Sequence, residues 1–227
     1  MSFVFFDIDG TLIQSPPYHL WRGLMAYWQT RGRKQGVHHV FLATHYPLFA
    51  LRKAGLLAEG AFRRRWSADL GWYLRGETTD AVAEMSRWVA RVYLRDAWRM
   101  QVVRRLQAHL EAGDVVALVS AAPLPIVAAV AEHWGVPHAV GTRFEQRNGR
   151  YTGRVMPPVA LDAQKLGLAR AHFERLGIPF DLGNSWAYAD SITDLALLEA
   201  AAHPVAVFPD RALQAIAEQR GWEVLAE

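Results

Sequence analysis

Short apolar runs that stop at polar or turn-forming residues alternate along this chain with longer stretches whose apolar positions recur at helical spacing. Residues 3–6 are continuously apolar and end at Asp7, with Gly10 and Thr11 just beyond, the pattern of a buried strand entering a turn. Residues 115–119 are rich in β-branched side chains, follow the helix stop Gly113 and precede Pro123, so a second strand feeds a helix. Extended stretches at 139–141 and 144–155 flank and contain Asn148-Gly149, a strong hairpin signal. A helix over 163–176 stopped by Gly177, a strand over 186–189, a helix over 192–200, a strand over 205–208 and a helix over 211–220 complete the series. This alternation predicts an α/β fold, a parallel sheet with helices on both faces.

The regularity is interrupted once. Between the first two strands lie about a hundred residues with no convincing strand, and 20–29, 40–53, 61–74 and 81–112 all accept helical periodicity. The expected organisation is a core of residues 1–13 and 100–227 with a helical domain, 14–99, inserted after the first strand. At 227 residues and 52% hydrophobic content against 21% charged, the chain buries enough surface to fold unaided, which excludes a disordered class. The net charge of +3 is uneven: residues 14–100 hold 14 Lys and Arg against 6 Asp and Glu, or +8, leaving −5 elsewhere. An acidic and a basic module sharing one cleft follow from that split.

The absence of cysteine excludes a disulfide framework, a thiolate metal site and a cysteine nucleophile, so any metal sits on oxygen or imidazole. The first ten residues carry two acids and no Lys or Arg, unlike an export signal. The longest uncharged run has 17 residues and two prolines, which suits a strand running into a helix rather than a membrane span. A cytoplasmic protein without a membrane partner is expected.

Ligands of such folds bind past the carboxyl ends of the parallel strands. Those positions hold Asp7-Ile8-Asp9-Gly10-Thr11, then Ser120, then Asp190 with Asp194 four residues on. One acidic strand end is an ordinary turn. Several carboxylates gathered at one sheet edge repel each other and call for a cation, and a hard, oxygen-liganded ion such as Mg²⁺ fits. A divalent cation beside a carboxylate nucleophile suits phosphoryl transfer, with Lys165 near a helix start and Ser120 at a strand end as phosphate donors.

Asp7-x-Asp9-Gly10-Thr11, Ser120, Lys165 and the stretch Tyr188-Ala189-Asp190-Ser191-Ile192-Thr193-Asp194 resemble, in order and spacing, the four motifs of the haloacid dehalogenase superfamily. The stretches 141–143 and 150–154, with 190–199 and 203–207, resemble its phosphoserine-phosphatase-like subclass, which carries a helical cap after motif one. The resemblance covers a Rossmann-like core of residues 1–13 and about 100–221, and the cap in position and helical character. It implies a phosphatase acting on a small-molecule phosphomonoester, with Asp7 as nucleophile and Asp9 as acid and base. It further implies Mg²⁺ on Asp7, the Asp9 carbonyl and Asp190, phosphate oxygens on Ser120, Ala121 and Lys165, and Asp194 orienting Lys165. The second acid, Asp9, is kept by phosphatases of the superfamily and lacking in its dehalogenases.

The chain departs from the phosphoserine-specific pattern, in which a glutamate nine residues after the nucleophile receives the substrate ammonium; Pro16 stands there. Motif two is Ser120-Ala121-Ala122 instead of Ser-Gly-Gly, and motif four centres on Ala189-Asp190-Ser191 instead of Gly-Asp-Gly. Trp21, Trp28, Trp66, Trp72, Trp88 and Trp98 fall in the insert, where packing is the expected role for most and a pocket wall for one or two. Arg63-Arg64-Arg65 is expected to form a solvated helix face, and His38, His39 and His45 to take surface or capping roles. Two rival functions remain: a phosphotransferase using the same residues, and a single-stranded nucleic-acid module using the basic, Trp-rich insert. No nucleic-acid motif supports the second.

Overall fold

The structure, a computed structural model, describes residues 2–14 and 19–226. Seven strands form one sheet: β1 (Phe3–Phe6), β2 (Val115–Pro123), β3 (His138–Arg147), β4 (Arg150–Met156), β5 (Trp186–Ala189), β6 (His203–Val207) and β7 (Glu223–Leu225). Their order is β4-β3-β2-β1-β5-β6-β7, with every pair parallel except β3–β4. β1 lies at the centre, so the loop after it opens between the ends of β2 and β5.

The alternation within each strand sorts the core onto two faces. Phe3, Phe5, Ala117, Val119, Ala187 and Ala189 face the helices α8 (Gln164–Arg175), α9 (Leu195–Ala200) and α10 (Arg211–Arg220). Val4, Phe6, Val116, Leu118 and Tyr188 face α6 (Met100–Glu111) and α7 (Leu124–Trp134), and that core continues without a break into the insert. The insert comprises α1 (His19–Thr30), α2 (Gln35–Lys53), α3 (Glu59–Asp69), α4 (Gly71–Leu74) and α5 (Thr79–Trp88). Chain leaves and returns side by side: the Gln14 N–H donates to the Ala97 carbonyl at 2.6 Å and the Arg99 N–H to the Leu12 carbonyl at 2.8 Å.

The helix expected over 81–112 is interrupted. A π-turn, Val89–Tyr93, follows α5, and Leu94–Arg99 is non-helical because Trp98 bridges Ile13 across the two crossing segments. The stretch 61–74 likewise divides between α3 and α4. Gly71 is required at that join, since a Cβ there would collide with the Gly153 carbonyl and the Phe144 ring. Strand β7 was not anticipated, being only three residues long and mixed in polarity. Pro16, where the phosphoserine pattern has its glutamate, lies outside the described residues.

None of the six insert tryptophans is exposed, and Trp28, Trp66 and Trp98 are buried. His45 departs from its expected surface role. It is 1% exposed, with Nδ1 2.8 Å from the Phe41 carbonyl and Nε2 3.3 Å from Asp69, an acid brought near by α3 rather than by sequence. Among the described residues no helix is long and apolar enough to cross a membrane.

Candidate active site

Asp7 is the first residue past β1, and its N–H donates to the Tyr188 carbonyl of β5 at 3.0 Å. The loop then turns tightly, with the N–H groups of Thr11 and Ile13 both donating to the Ile8 carbonyl. Gly10 sits at φ +84°, and a Cβ on it would collide with the Asp190 carboxylate, so glycine alone lets the two strand ends meet. The Thr11 hydroxyl lies 3.4 Å from both Asp7 Oδ2 and Asp190 Oδ1.

Lys165 is the second residue of α8, which packs on the same face of the sheet as α9. Its Nζ is 2.7 Å from Asp7 Oδ1 and 2.6 Å from Asp194 Oδ1, and all three side chains are buried. Asp194 closes the 3₁₀ turn Ile192–Asp194 that follows Asp190. Oxygens from Asp7, Asp190 and Asp194 lie within 4.8 Å of one another. Ser120 is buried at the end of the regular part of β2, where its Oγ accepts the Ala122 N–H at 3.2 Å. The Ala121 carbonyl accepts from Thr142 Oγ1 at 2.7 Å, holding this strand end against β3.

All seven residues singled out from the sequence, Asp7, Asp9, Ser120, Ala121, Lys165, Asp190 and Asp194, face one cavity of about 140 Å³. Its opposite wall comes from the insert: Leu20 and Trp21 of α1, and Arg63, Trp66, Ser67 and Leu70 of α3 and its end. Arg63 corrects the expected solvated arginine face. Arg64 and Arg65 are exposed, but Arg63 turns to the cavity, where its Nη1 donates to Thr193 Oγ1 at 3.3 Å and its Nε to Glu59 at 2.9 Å. The spacing of 63, 66, 67 and 70 is one helical stripe, a signal the sequence held.

Burial and crowding dominate the electrostatics. Asp7 is raised to about 6 by loss of water, with Lys165 pulling it down and Asp194 pushing it up. Asp9 is pushed further, to about 7, by burial and then by the Asp7 charge, although its Oδ1 accepts the Leu20 N–H at 3.2 Å. Asp190 is raised by burial and by Asp7 and Asp194. For Lys165 burial works downward, but Asp194 and Asp7 outweigh it and hold the ammonium charged. The donor set is all oxygen, convergent and short of positive charge, which fits a hard divalent cation and does not fit a soft metal.

A carboxylate at the central strand end, paired with a buried lysine and backed by a second acid, suits phosphoryl-transfer chemistry. Residues 4–199 match the haloacid dehalogenase-like hydrolase family, and the chain belongs to it. A phosphoserine phosphatase of Mycobacterium tuberculosis is 29% identical over 223 residues, covering 97% of this chain and 69% of its own length. A histidinol-phosphatase of Neisseria meningitidis serogroup C is 28% identical over 228 residues, covering 97% and 96%. Among solved structures, a Bordetella pertussis protein of unknown function superposes with a TM-score of 0.82 at 28% identity, covering 100% and 99% of the two chains. A substrate-bound phosphoserine phosphatase shares the fold, with a TM-score of 0.59 at 17% identity over 100% and 93%. The protein is a phosphatase of this family.

Proposed function

We propose that the protein is a Mg²⁺-dependent phosphomonoester hydrolase that works through a phosphoryl group carried on Asp7 and acts on a small phosphorylated metabolite. The observation that carries the reading is the asymmetry of two neighbouring acids. Asp7 contacts the Lys165 ammonium at 2.7 Å, whereas Asp9 is pushed to about 7. The Lys165 contact favours the ionised form of Asp7, whereas burial and the Asp7 charge favour the protonated form of Asp9, so attack is assigned to Asp7 and proton transfer to Asp9.

In the first half-reaction an Asp7 carboxylate oxygen attacks phosphorus in line, the bond to the leaving oxygen breaks, and Asp9 donates its proton to that oxygen. In the second, Asp9, now ionised, takes a proton from water as the water oxygen attacks the same phosphorus. The phosphorus–Asp7 bond breaks and inorganic phosphate leaves with both residues restored. Lys165, Ser120 and the Ala121 strand end hold the non-bridging oxygens, and Asp194 keeps Lys165 in place at 2.6 Å. Mg²⁺ would be held by Asp7, Asp190 and the Asp9 backbone carbonyl, where it supplies charge neutralisation for the transferring group.

The purified protein is expected to release phosphate from phosphomonoesters when Mg²⁺ is present. Asp7→Asn is expected to abolish release with an unchanged circular dichroism spectrum. Rapid acid quench during turnover should leave one phosphoryl group on the peptide containing Asp7; full activity in Asp7→Asn, or a phosphoryl group on a different peptide, would remove Asp7 from the role.

A further inference from the structure

The proposed reaction seats phosphate among Lys165, Ser120 and the acids, all supplied by the core, so the leaving alcohol extends toward the wall built by the insert. On that wall α3 and its end present Arg63, Ser67 and Leu70, one stripe at helical spacing with Ser67 in the middle. Ser67 is 7% exposed, and it is the one hydroxyl that the insert's described residues bring to the cavity.

Among the described residues six serines are buried, and Ser2, Ser86, Ser120, Ser185 and Ser191 each have their hydroxyl in a hydrogen bond. Ser67, the sixth, has none among the described residues. The contrast with Ser86 is direct, since both sit within helices. Ser86 donates back to the Val82 carbonyl at 2.7 Å, whereas the Ser67 hydroxyl leaves the equivalent carbonyl, that of Arg63, alone. Arg63 itself is engaged by Glu59 and Thr193. A buried hydroxyl without a partner is unfavourable unless water or a ligand meets it, and the wall beside Ser67 offers Leu20 and Leu70.

We propose that the Ser67 hydroxyl pairs with a hydroxyl on the leaving alcohol, and so selects phosphomonoesters of hydroxylated chains over those of plain alkyl chains. The inference rests on the hydrolase reading above. A serine hydroxyl both donates and accepts, so its full match is another hydroxyl. The Arg63 charge one turn away disfavours an ammonium in the same place. A plain alkyl chain would bury against the two leucines, but it would strip Ser67 of water and return no partner. An unmet hydrogen bond of this kind discriminates more strongly than a missing methylene does.

The test compares glycerol 3-phosphate with propyl phosphate, which share a three-carbon leaving group and differ in its hydroxyls, with 3-aminopropyl phosphate as the third substrate. Wild type is expected to favour the glycerol ester over the propyl ester in kcat/KM. Ser67→Ala should lower that ratio at least about tenfold, a comparison between proteins in which the unequal acidity of the two alcohols cancels. Ser67→Thr should keep more of the ratio than Ser67→Val, which has the same shape without the hydroxyl. Ser67→Ala is also expected to melt at or above wild type, because no hydrogen bond among the described residues is lost and alanine is the better helix former. The proposal would be overturned by a ratio that Ser67→Ala leaves unmoved, by equal ratios in the threonine and valine variants, or by a lower melting temperature in Ser67→Ala. A larger loss for the aminopropyl ester than for the glycerol ester would overturn it as well. Absence of turnover with every phosphomonoester would instead defeat the hydrolase reading. Equilibrium binding of the glycerol and propyl esters to Asp7→Asn protein, with and without Ser67→Ala, would then judge Ser67 alone by the same ratio.

Discussion

Replacing Asp190 with Asn tests whether the acid cluster is built for a cation, and the answer is read from stability rather than rate. Oxygens of Asp7, Asp190 and Asp194 lie within 4.8 Å of one another. Two unit charges at that distance repel by about 3 kcal/mol at an effective dielectric constant of about 20, and Lys165 offsets part of this. Removing one charge is therefore expected to stabilise metal-free protein by about 1–2 kcal/mol at pH about 8, or about 2–8 °C in melting temperature for a chain of this size. The effect has a definite pH direction. Carboxyls raised to about 6 at Asp7 and about 7 at Asp9, with Asp190 also raised, hold protons in the folded state that the unfolded chain has already lost. Their contribution to stability is full below the ordinary carboxylate value and disappears as pH rises through about 6 to 7. Wild-type protein treated with a chelator should thus melt lower at pH about 8 than at pH about 5, and Asp190→Asn should flatten that slope. Added Mg²⁺ should recover the wild type and leave the variant unmoved. Scanning calorimetry across this pH range decides the matter. A metal-free variant that melts at or below wild type at pH about 8, or shows the same slope, would refute the account of the site as a repulsive cluster.

Three further substitutions probe separate parts of the argument. Lys165→Met strips Asp7 and Asp194 of their shared ammonium, and is expected to lower kcat by about a thousandfold and stability by about 3–5 kcal/mol at pH about 8, measured by steady-state phosphate release and denaturant unfolding. Gly10→Ala should push the Asp190 carboxylate aside, so that the Mg²⁺ concentration for half-maximal activity rises at least about tenfold; an unchanged metal requirement would mean the loop has room the structure denies it. Gly71→Ala, which sets a methyl group against the Gly153 carbonyl and the Phe144 ring rather than against the acids, should cost about 1–3 kcal/mol of stability by chemical denaturation and keep the same Mg²⁺ dependence.

Chain pattern alone was sufficient wherever a feature depends on near neighbours. The apolar run 3–6 ending at Asp7, the hairpin at Asn148-Gly149, and the strand–helix alternation from 115 onward are short-range signals, and the observed sheet carries them with shifts of a few residues at the ends. The acids and Ser120 could be nominated from their positions past strand ends because a parallel sheet places those ends at one edge, and Lys165 from its place near a helix start. Other features depend on which surfaces meet, which no local window contains. Arg63 was indistinguishable from Arg64 and Arg65 until α3 was set over the β5 loop, where one helical stripe faces Thr193 and its two neighbours face water. His45 gained an acid, Asp69, from a different helix. The single helix expected over 81–112 is broken because residues 94–99 must pair with the outgoing chain at 12–14. Periodicity reports how a segment buries its own apolar side, whereas the direction of that side, and what stands opposite it, is set by packing among segments distant in sequence.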